Sequence, residues 1–397
     1  MKNNNTEIYE QKFSVSYDYP VHFTHGLFKK DNPLLSSVVD RKTGEQPHRV
    51  MVYIDSGVVD TSPELIQQIE EHFNAHTDKM ELVCPPRTIP GGENAKNGWN
   101  SIRDIMTSLG EHHMCRQSYV MIIGGGSVLD AVGFAASLVH RGLRQIRVPT
   151  TVLSQNDAGV GVKNGMNERE VKNFIGCFAP PFAVIDDSDF LKTLDEKHWT
   201  SGIAEAFKVA IIKDADFFDW LCSNARKLKD RNMEAMETLV RRCAILHLDH
   251  ISSGGDPFES GSSRPLDFGH WSAHKLESIS DFSICHGQAV AIGIALDSYY
   301  AERKKMISAD ERDRILNGMT GSGLPIWSPL LARRGADNNL EILRGMEEFR
   351  EHLGGLLTIT LPEPIGSKKE VHEMDLIIIE DGLAFLKELQ PRFDCKI

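Results

Sequence analysis

Short apolar runs alternate with helical patterns in the first half of the chain. Four runs are rich in β-branched, aromatic and other apolar side chains, which favour strands. They are residues 50–54, 82–84, 119–123 and 182–185. Residues 63–74 and 95–109 instead repeat their apolar positions three and four apart, as expected of a helix that buries one face. Because strands that alternate with helices build parallel sheets, the sequence predicts an α/β domain.

The pattern changes after about residue 195, where long amphipathic stretches replace the strand signals. These stretches are residues 204–214, 217–228, 234–250, 289–305 and 375–389. They predict helices that bury one face. We therefore predict three parts. Residues 1–45 form an N-terminal extension that adds an edge strand or wraps the next part, 46–195 form a Rossmann-like α/β domain, and 196–397 form a mainly α-helical domain.

The composition limits the classes of partner. The 397-residue chain has a formal net charge of −12 and no block of Lys and Arg, so neither nucleic acid nor an anionic membrane is expected as its main partner. Its seven cysteines are scattered without a CxxC pair, which indicates a reducing compartment rather than a disulfide framework or a zinc ribbon. The N-terminus is polar, and no apolar run reaches the ~18 residues of a membrane span. A cytoplasmic protein is expected.

Three histidines lie close together in the second half. His270 and His274 are four residues apart, so a helix places both on one face, and His286 follows one loop later. A chance grouping of surface or core histidines remains the alternative to a metal site. A catalytic metal ion usually has three protein ligands and one open position. Glu205 is the candidate for a carboxylate ligand, on a predicted helix that opens at Ser201 and Gly202.

Glu205 and Lys208 are three residues apart on that helix. A carboxylate and an ammonium on a largely apolar helix are costly to bury unless they have a function. The alternative is an ordinary surface ion pair.

A glycine-rich turn follows the strand candidate 119–123. Gly124, Gly125, Gly126 and Ser127 precede a helical pattern, an arrangement in which backbone amides and a helix N-terminus favour a phosphate. Asp55 ends another strand, where a carboxylate either accepts hydrogen bonds from a ribose or caps a turn. Glu93 and Lys96 enter a helix and are either cofactor contacts or cap residues.

Polar side chains are concentrated between residues 149 and 176. The donors and acceptors of this region include Thr150, Thr151, Asp157, Lys163 and Asn173. Such a cluster suits a phosphorylated, polyhydroxylated ligand. A solvated loop has the same composition.

In their order and spacing, these segments resemble the sugar phosphate cyclases. This superfamily contains 3-dehydroquinate synthase and the C7-cyclitol synthases that act on sedoheptulose 7-phosphate. The resemblance covers about residues 50–300 and implies a dehydroquinate synthase-like fold, with NAD in the first domain, a zinc or cobalt ion in the second and the substrate between them. Relatives of this kind are commonly homodimers.

The resemblance also implies roles for individual residues. Glu205, His270 and His286 match metal ligands, whereas His274, Lys163, Lys208 and Asp157 match catalytic positions and Asn173 a substrate-binding position. The positions that hold NAD in this superfamily correspond to Asp55, Glu93, Lys96, Gly124, Gly125, Gly126, Ser127, Asp130, Thr150 and Thr151.

Departures from the dehydroquinate synthase pattern bear on the substrate. Ser263 and Asp267 occupy the places of an Arg and an Asn, and Arg264 is displaced by one residue. Because a guanidinium is the natural partner of a substrate carboxylate, this change disfavours an acidic substrate. His352 takes the place of a late Lys, and Gln288 replaces the commoner Glu. We assign Asp267, Arg264 and His352 to the substrate. Residues 264–274 look like the dehydroquinate synthase-like proteins of bacterial isoprenoid-associated gene clusters.

The resemblance implies a carbon–oxygen lyase acting on phosphates. Transient oxidation by NAD is followed by β-elimination of phosphate, reduction and intramolecular aldol closure, most simply from sedoheptulose 7-phosphate to a cyclitol. Three alternatives remain: a 3-dehydroquinate synthase, an NAD(P)- and metal-dependent alcohol dehydrogenase of the glycerol dehydrogenase type, and a non-catalytic nucleotide-binding relative.

Overall fold

The computed structural model describes residues 8–42, 47–169, 171–253, 258, 266–351 and 355–390. An α/β domain with a parallel sheet precedes a mainly helical domain, as the sequence predicts. β1 (Val21–Thr24) and α1 (Leu34–Val39) lie within the predicted N-terminal extension and belong to the sheet and the core of the first domain. The domain boundaries at residues 45 and 195 stay predictions.

Among the described residues, the first domain has eight further strands and four further α-helices. The strands are β2 (His48–Asp55), β3 (Met80–Leu82), β4 (Arg87–Ile89), β5 (Tyr119–Gly124), β6 (Arg144–Pro149), β7 (Lys163–Glu168), β8 (Val171–Phe178) and β9 (Ala183–Asp187). The helices are α2 (Ser56–Thr61), α3 (Leu65–Ala75), α4 (Trp99–Glu111) and α5 (Gly126–Leu138).

Seven of these strands form one parallel sheet in the order β1-β9-β6-β5-β2-β3, with β4 also paired to β2. Side chains alternate across it: Val50 and Val52 pack on one face, whereas Met51 and Tyr53 pack on the other. The strand order reverses between β2 and β5, and such a switch point opens a ligand crevice at the carboxyl ends of the strands. Strands β7 and β8 form a separate antiparallel hairpin.

In the part of the second domain that the structure describes, eight α-helices accompany one small antiparallel hairpin. The helices are α6 (Glu196–Lys213), α7 (Ala215–Lys229), α8 (Met233–Ser253), α9 (His270–Ile279), α10 (His286–Arg303), α11 (Ala309–Gly321), α12 (Arg344–Glu351) and α13 (Leu376–Leu389). Strands β10 (Ile359–Pro362) and β11 (Lys368–Val371) form the hairpin. Helices α6 and α10 are buried along most of their length, so together they form the centre of this domain.

One predicted boundary is wrong in an informative way. The sequence places a helix start at Ser201 and Gly202, but α6 begins at Glu196, after the capping residue Asp195. The small residues serve packing instead, because a Cβ on Gly202 would lie 2.6 Å from the backbone N of Leu153.

Neither a long apolar helix nor a disulfide occurs in the part of the chain that the structure describes. None of its helices has the length and hydropathy to cross a membrane, and the cysteines found there are free.

Candidate active site

Helix α6 carries Glu205 and Lys208 into the interior of the second domain. Glu205 is 1% exposed and Lys208 is 3% exposed, so the alternative of a surface ion pair is wrong. Their side chains form a close ion pair. Two buried charges remain favourable only when they are paired and further satisfied, which makes this pair a functional candidate.

Close helix contacts bring the two histidine-bearing helices to Glu205. His270 is the first residue of α9 and His286 the first residue of α10. A Cβ on Gly293 of α10 would lie 2.0 Å from the carbonyl oxygen of Gly269, the residue before α9. Gly269 itself has a φ of +79°, which a glycine adopts without strain. The start of α9 therefore packs closely against the middle of α10, because both contact residues lack side chains.

Glu205, His270 and His286 converge on one point. Glu205 Oε1 lies 3.2 Å from His286 Nε2 and 3.8 Å from His270 Nε2. His270 Nδ1 lies 3.1 Å from the Phe268 carbonyl, so Nδ1 carries the proton and Nε2 faces the carboxylate. Oε1 is buried and lacks a hydrogen-bond partner of good geometry among the described residues. An unsatisfied carboxylate oxygen opposite two imidazole nitrogens fits a divalent cation with three protein ligands.

The electrostatics agree with a cation site. Burial would lower the pKa of Lys208, but Glu205 and Asp157 outweigh burial and raise it. Burial and then the nearby Lys208 lower the pKa of His270 to about 4, so its imidazole is neutral and able to act as a ligand. Burial would likewise lower the pKa of His286, but Glu277 and Glu205 raise it to about 10. A metal ion bound at Nε2 of His286 would replace a proton on that nitrogen.

His274 lies beside this group and not within it. Its ring centroid is 5.3 Å from that of His270 and 6.0 Å from that of His286. Its side chain is solvent-accessible in the cleft. Desolvation, and then the neighbouring His270 and His286, lower its pKa, so the imidazole of His274 is neutral.

Asp157 reaches Lys208 from the first domain. It lies on the short π-helical turn Ser154–Ala158, and its Oδ2 is 3.4 Å from Lys208 Nζ. His247 Nδ1 lies 3.4 Å from Asp157 Oδ1. Sequence reasoning missed His247, although a signal was present. His247 continues the buried stripe of α8 formed by Met236, Val240 and Cys243.

The glycine turn lies at the switch point of the sheet. Gly124 ends β5, and Gly126 begins α5, whose N-terminus has no side-chain cap. The amide N–H of Thr150 donates to the carbonyl oxygen of Gly124 at 3.1 Å, and the Thr151 hydroxyl lies 2.9 Å from that of Ser154. The start of α5, which has no side-chain cap, therefore offers backbone amides to a phosphate.

Asp55 lies next to this turn at the end of β2. Its Oδ1 accepts a hydrogen bond from Gly57 N at 2.8 Å and so caps α2. A Cβ on Gly91 would lie 2.1 Å from the same oxygen. The cap interpretation is therefore correct, while a ribose contact stays a prediction.

Several other predicted cofactor and substrate residues form a polar network within the first domain. Lys96 is buried and pairs with Asp130 at 2.7 Å and with Asn173. Glu93 lies on the 3-10 turn Gly92–Lys96 and accepts from Ser127 Oγ at 3.3 Å.

The remaining predicted substrate residues are spread along the cleft or fall outside the structure. Lys163 begins β7 with an exposed side chain, and Asp267 is half-buried just before α9. Arg264 and His352 lie outside the described residues.

Comparisons with known proteins decide the family. The model described as 3-dehydroquinate synthase N-terminal matches residues 87–201, and the one described as 3-dehydroquinate synthase C-terminal matches residues 202–344. The 3-dehydroquinate synthase of Vibrio atlanticus (strain LGP32) is 31% identical over 372 residues, covering 94% of this chain and 97% of that protein. This chain belongs to the 3-dehydroquinate synthase-like superfamily of sugar phosphate cyclases.

Solved structures agree with this cyclase family. The 2-epi-5-epi-valiolone synthase of Streptomyces hygroscopicus subsp. jinggangensis 5008, solved with NAD+ and Zn2+ bound, is 28% identical with a TM-score of 0.84 and covers 96% of this chain and 99% of its own. A 2-deoxy-scyllo-inosose synthase with NAD+ and Co2+ is 19% identical with a TM-score of 0.75, covering 92% of this chain and 96% of its own. A probable glycerol dehydrogenase from Sinorhizobium meliloti 1021 is 16% identical with a TM-score of 0.58, covering 94% of this chain and 98% of its own. The last two share the fold alone.

Asp297 fixes the start of α9 in this cyclase. It is fully buried on α10, and its carboxyl group accepts from Gly269 N at 3.1 Å and from Trp271 Nε1 at 2.8 Å. These donors flank His270. Burial raises the pKa of Asp297 to about 7, so the group titrates near neutral pH.

Replacing Asp297 by alanine is expected to lower the free energy of unfolding by about 1–3 kcal/mol, because buried donors lose their acceptor. With a folded-state pKa of about 7 against an ordinary 3.8, the contribution of the carboxyl group is complete below about pH 4 and is lost as the pH rises through about 7. Urea unfolding at pH 5.5 and pH 8 should therefore show a smaller deficit at pH 8. Asp297→Asn keeps an acceptor and cannot titrate, and a pH-independent gap between it and wild type would contradict this assignment.

Proposed function

We propose that this protein is an NAD- and metal-dependent lyase that converts sedoheptulose 7-phosphate to a carbocyclic cyclitol and inorganic phosphate. The observation that carries the proposal is the convergence of Glu205, His270 and His286 beside the buried Lys208, which pairs with Glu205 and also contacts Asp157. This cluster belongs to a chain that is 28% identical to a 2-epi-5-epi-valiolone synthase over nearly its whole length.

Two bound groups complete the proposed site. Glu205, His270 and His286 would hold zinc or cobalt, because carboxylate and imidazole ligands with an open position suit either ion. The glycine turn with Ser127, Thr150 and the network around Glu93, Lys96 and Asp130 would hold NAD. Together the two groups supply Lewis-acid polarisation and a reversible oxidation that acidifies the neighbouring C–H bond.

The chain's own residues then handle charge and protons. Lys208, held protonated between Glu205 and Asp157, stabilises negative charge that develops on a substrate oxygen. His274 is solvent-accessible beside the metal ligands, where it is placed to position or transfer a substrate proton. Lys163 and Asn173 provide polar contacts at the hairpin of β7 and β8, where we place the phosphate and hydroxyl groups of the substrate.

The sequence around residue 263 favours a neutral substrate over an acidic one. Ser263 stands where dehydroquinate synthases carry an Arg, and Asp267 stands where they carry an Asn. A serine does not neutralise a substrate carboxylate, and an aspartate in place of a neutral asparagine adds a charge that repels one. We therefore favour sedoheptulose 7-phosphate, whose tail is uncharged, over the acidic seven-carbon substrate of 3-dehydroquinate synthase.

The substrate proposal is tested by measuring phosphate release from both sugar phosphates in parallel, with NAD and zinc or cobalt present. Release from sedoheptulose 7-phosphate alone is the expected result. Release from the acidic substrate alone would overturn the interpretation of Ser263 and Asp267 and make the protein a 3-dehydroquinate synthase. Arg264 and His352 stay predicted substrate residues, and the homodimer and cytoplasmic location stay predictions as well.

A further inference from the structure

A carboxylate that was not among the predicted site residues holds the metal ligand His286 from behind. Glu277 lies on α9 and is almost fully buried. Its Oε2 accepts from His286 Nδ1 at 3.0 Å. This contact orients the imidazole so that Nε2 faces Glu205, as carboxylates behind metal-bound histidines commonly do.

The second oxygen of Glu277 is bound by a lysine of the other domain. Lys172 lies on β8, and its Nζ is 2.7 Å from Glu277 Oε1. The same ammonium lies 5.1 Å from the ring centroid of Phe282, in the loop that joins α9 to α10. Lys172 therefore contacts both the residue that holds His286 and the loop that leads to it.

Lys172 also reaches the glycine turn of the first domain. Its Nζ lies 3.4 Å from Glu93 Oε1. That oxygen accepts from Ser127 Oγ at 3.3 Å, and Asn167 Nδ2 donates to Oε2 at 2.9 Å. Ser127 is the second residue of α5, directly after the predicted phosphate-binding turn. A continuous series of polar contacts thus joins this turn to a metal ligand.

We propose that Glu277 and Lys172 are positioning residues that couple metal binding to NAD binding, an inference that rests on the proposed function. NAD would bind against Ser127 and so favour the arrangement in which Glu93 forms an ion pair with Lys172. In that arrangement Lys172 also pairs with Glu277. Glu277 in turn accepts a hydrogen bond from His286 and orients it toward the metal. Because binding linkage is reciprocal, the metal should strengthen NAD binding by the same factor.

The test is the zinc dissociation constant, measured by competition with a chromophoric chelator with and without saturating NAD. Wild type should bind zinc at least about fivefold more tightly with NAD, at the lower end of ordinary coupling. Lys172→Met should reduce this NAD-dependent gain in zinc affinity to less than about twofold. Lys172→Arg should retain most of the gain, because arginine, unlike methionine, keeps the positive charge. Glu277→Ala should weaken zinc binding about 10- to 100-fold with or without NAD, and Glu277→Gln, which keeps an acceptor, should weaken it less.

Lys275→Met is the matched control. Lys275 lies on α9, as Glu277 does, but pairs with Glu348 on α12. The Lys275→Met variant should therefore keep the wild-type gain in zinc affinity on NAD binding. A gain in Lys172→Met equal to that of wild type, or no gain in wild type, would overturn the coupling. Wild-type protein that binds neither zinc nor NAD would instead refute the proposed function.

Discussion

Replacing Glu205 by glutamine is expected to abolish metal binding and to lower phosphate release by about a thousandfold or more. The amide keeps the shape of the side chain but removes the charge that faces His270 and His286. Loss of a Lewis acid removes several kcal/mol of transition-state stabilisation, and about 4 kcal/mol corresponds to about a thousandfold in rate. Metal content by atomic emission and phosphate release are measured on the same preparation.

Glu196→Gln is the matched control, since Glu196 lies exposed at the start of the same helix. It should leave metal content and rate unchanged. Glu205→Gln also removes the negative charge that pairs with the buried Lys208. Breaking a buried ion pair lowers the free energy of unfolding by about 3–5 kcal/mol. Adding Lys208→Met should recover part of that stability without recovering metal. A Glu205→Gln protein that retains both metal and activity would refute the assigned ligand set.

Replacing Gly287 by alanine is expected to damage both stability and the metal site. A Cβ at this position would lie 2.3 Å from the Cα and the carbonyl oxygen of Ser201 on α6, and backbone atoms cannot rotate aside. Alanine is a better helix former than glycine, which would add about 1 kcal/mol to the free energy of unfolding. The steric overlap would lower that free energy by about 3 kcal/mol or more. The net loss of about 2 kcal/mol or more should appear in urea unfolding. Because His286 is the adjacent residue, we also expect zinc affinity to fall.

Gly110→Ala tests the same substitution without the contact. Gly110 lies in α4, and no heavy atom lies within 4 Å of an added Cβ. This variant should be unchanged or slightly more stable. Equal stability of the Gly287→Ala and Gly110→Ala proteins would show that α6 and α10 do not require this close approach.

Local patterns predicted the fold and most of the candidate metal site. The parallel sheet follows from alternating strand and helix periodicity, and the i, i+4 spacing correctly placed His270 and His274 on one helix, α9. Sequence reasoning could not show that Glu205 and Lys208 are buried, because burial depends on α10 packing across α6. It also took Ser201 and Gly202 for a helix start, whereas their small size serves contacts with α10 and with residues 152 and 153.

Residues that act through others were the hardest to predict. No sequence motif distinguishes Glu277 from other polar residues on α9. Its contact with His286 forms only when the loop after α9 brings the start of α10 back against it. Lys172 falls within the polar region of residues 149–176, but its contact with Glu277 joins positions 105 residues apart. No local pattern specifies a contact over such a separation, so the coupling of the two domains requires the structure.

Simultaneous measurement of phosphate and of NADH absorbance during turnover of sedoheptulose 7-phosphate tests the central claim most directly. With zinc or cobalt present, a cyclase returns the hydride in every cycle, so phosphate should accumulate over many turnovers per NAD while NADH stays at baseline. NADH that accumulates in proportion to the sugar consumed, without phosphate, would identify a dehydrogenase of the glycerol dehydrogenase type and contradict the account.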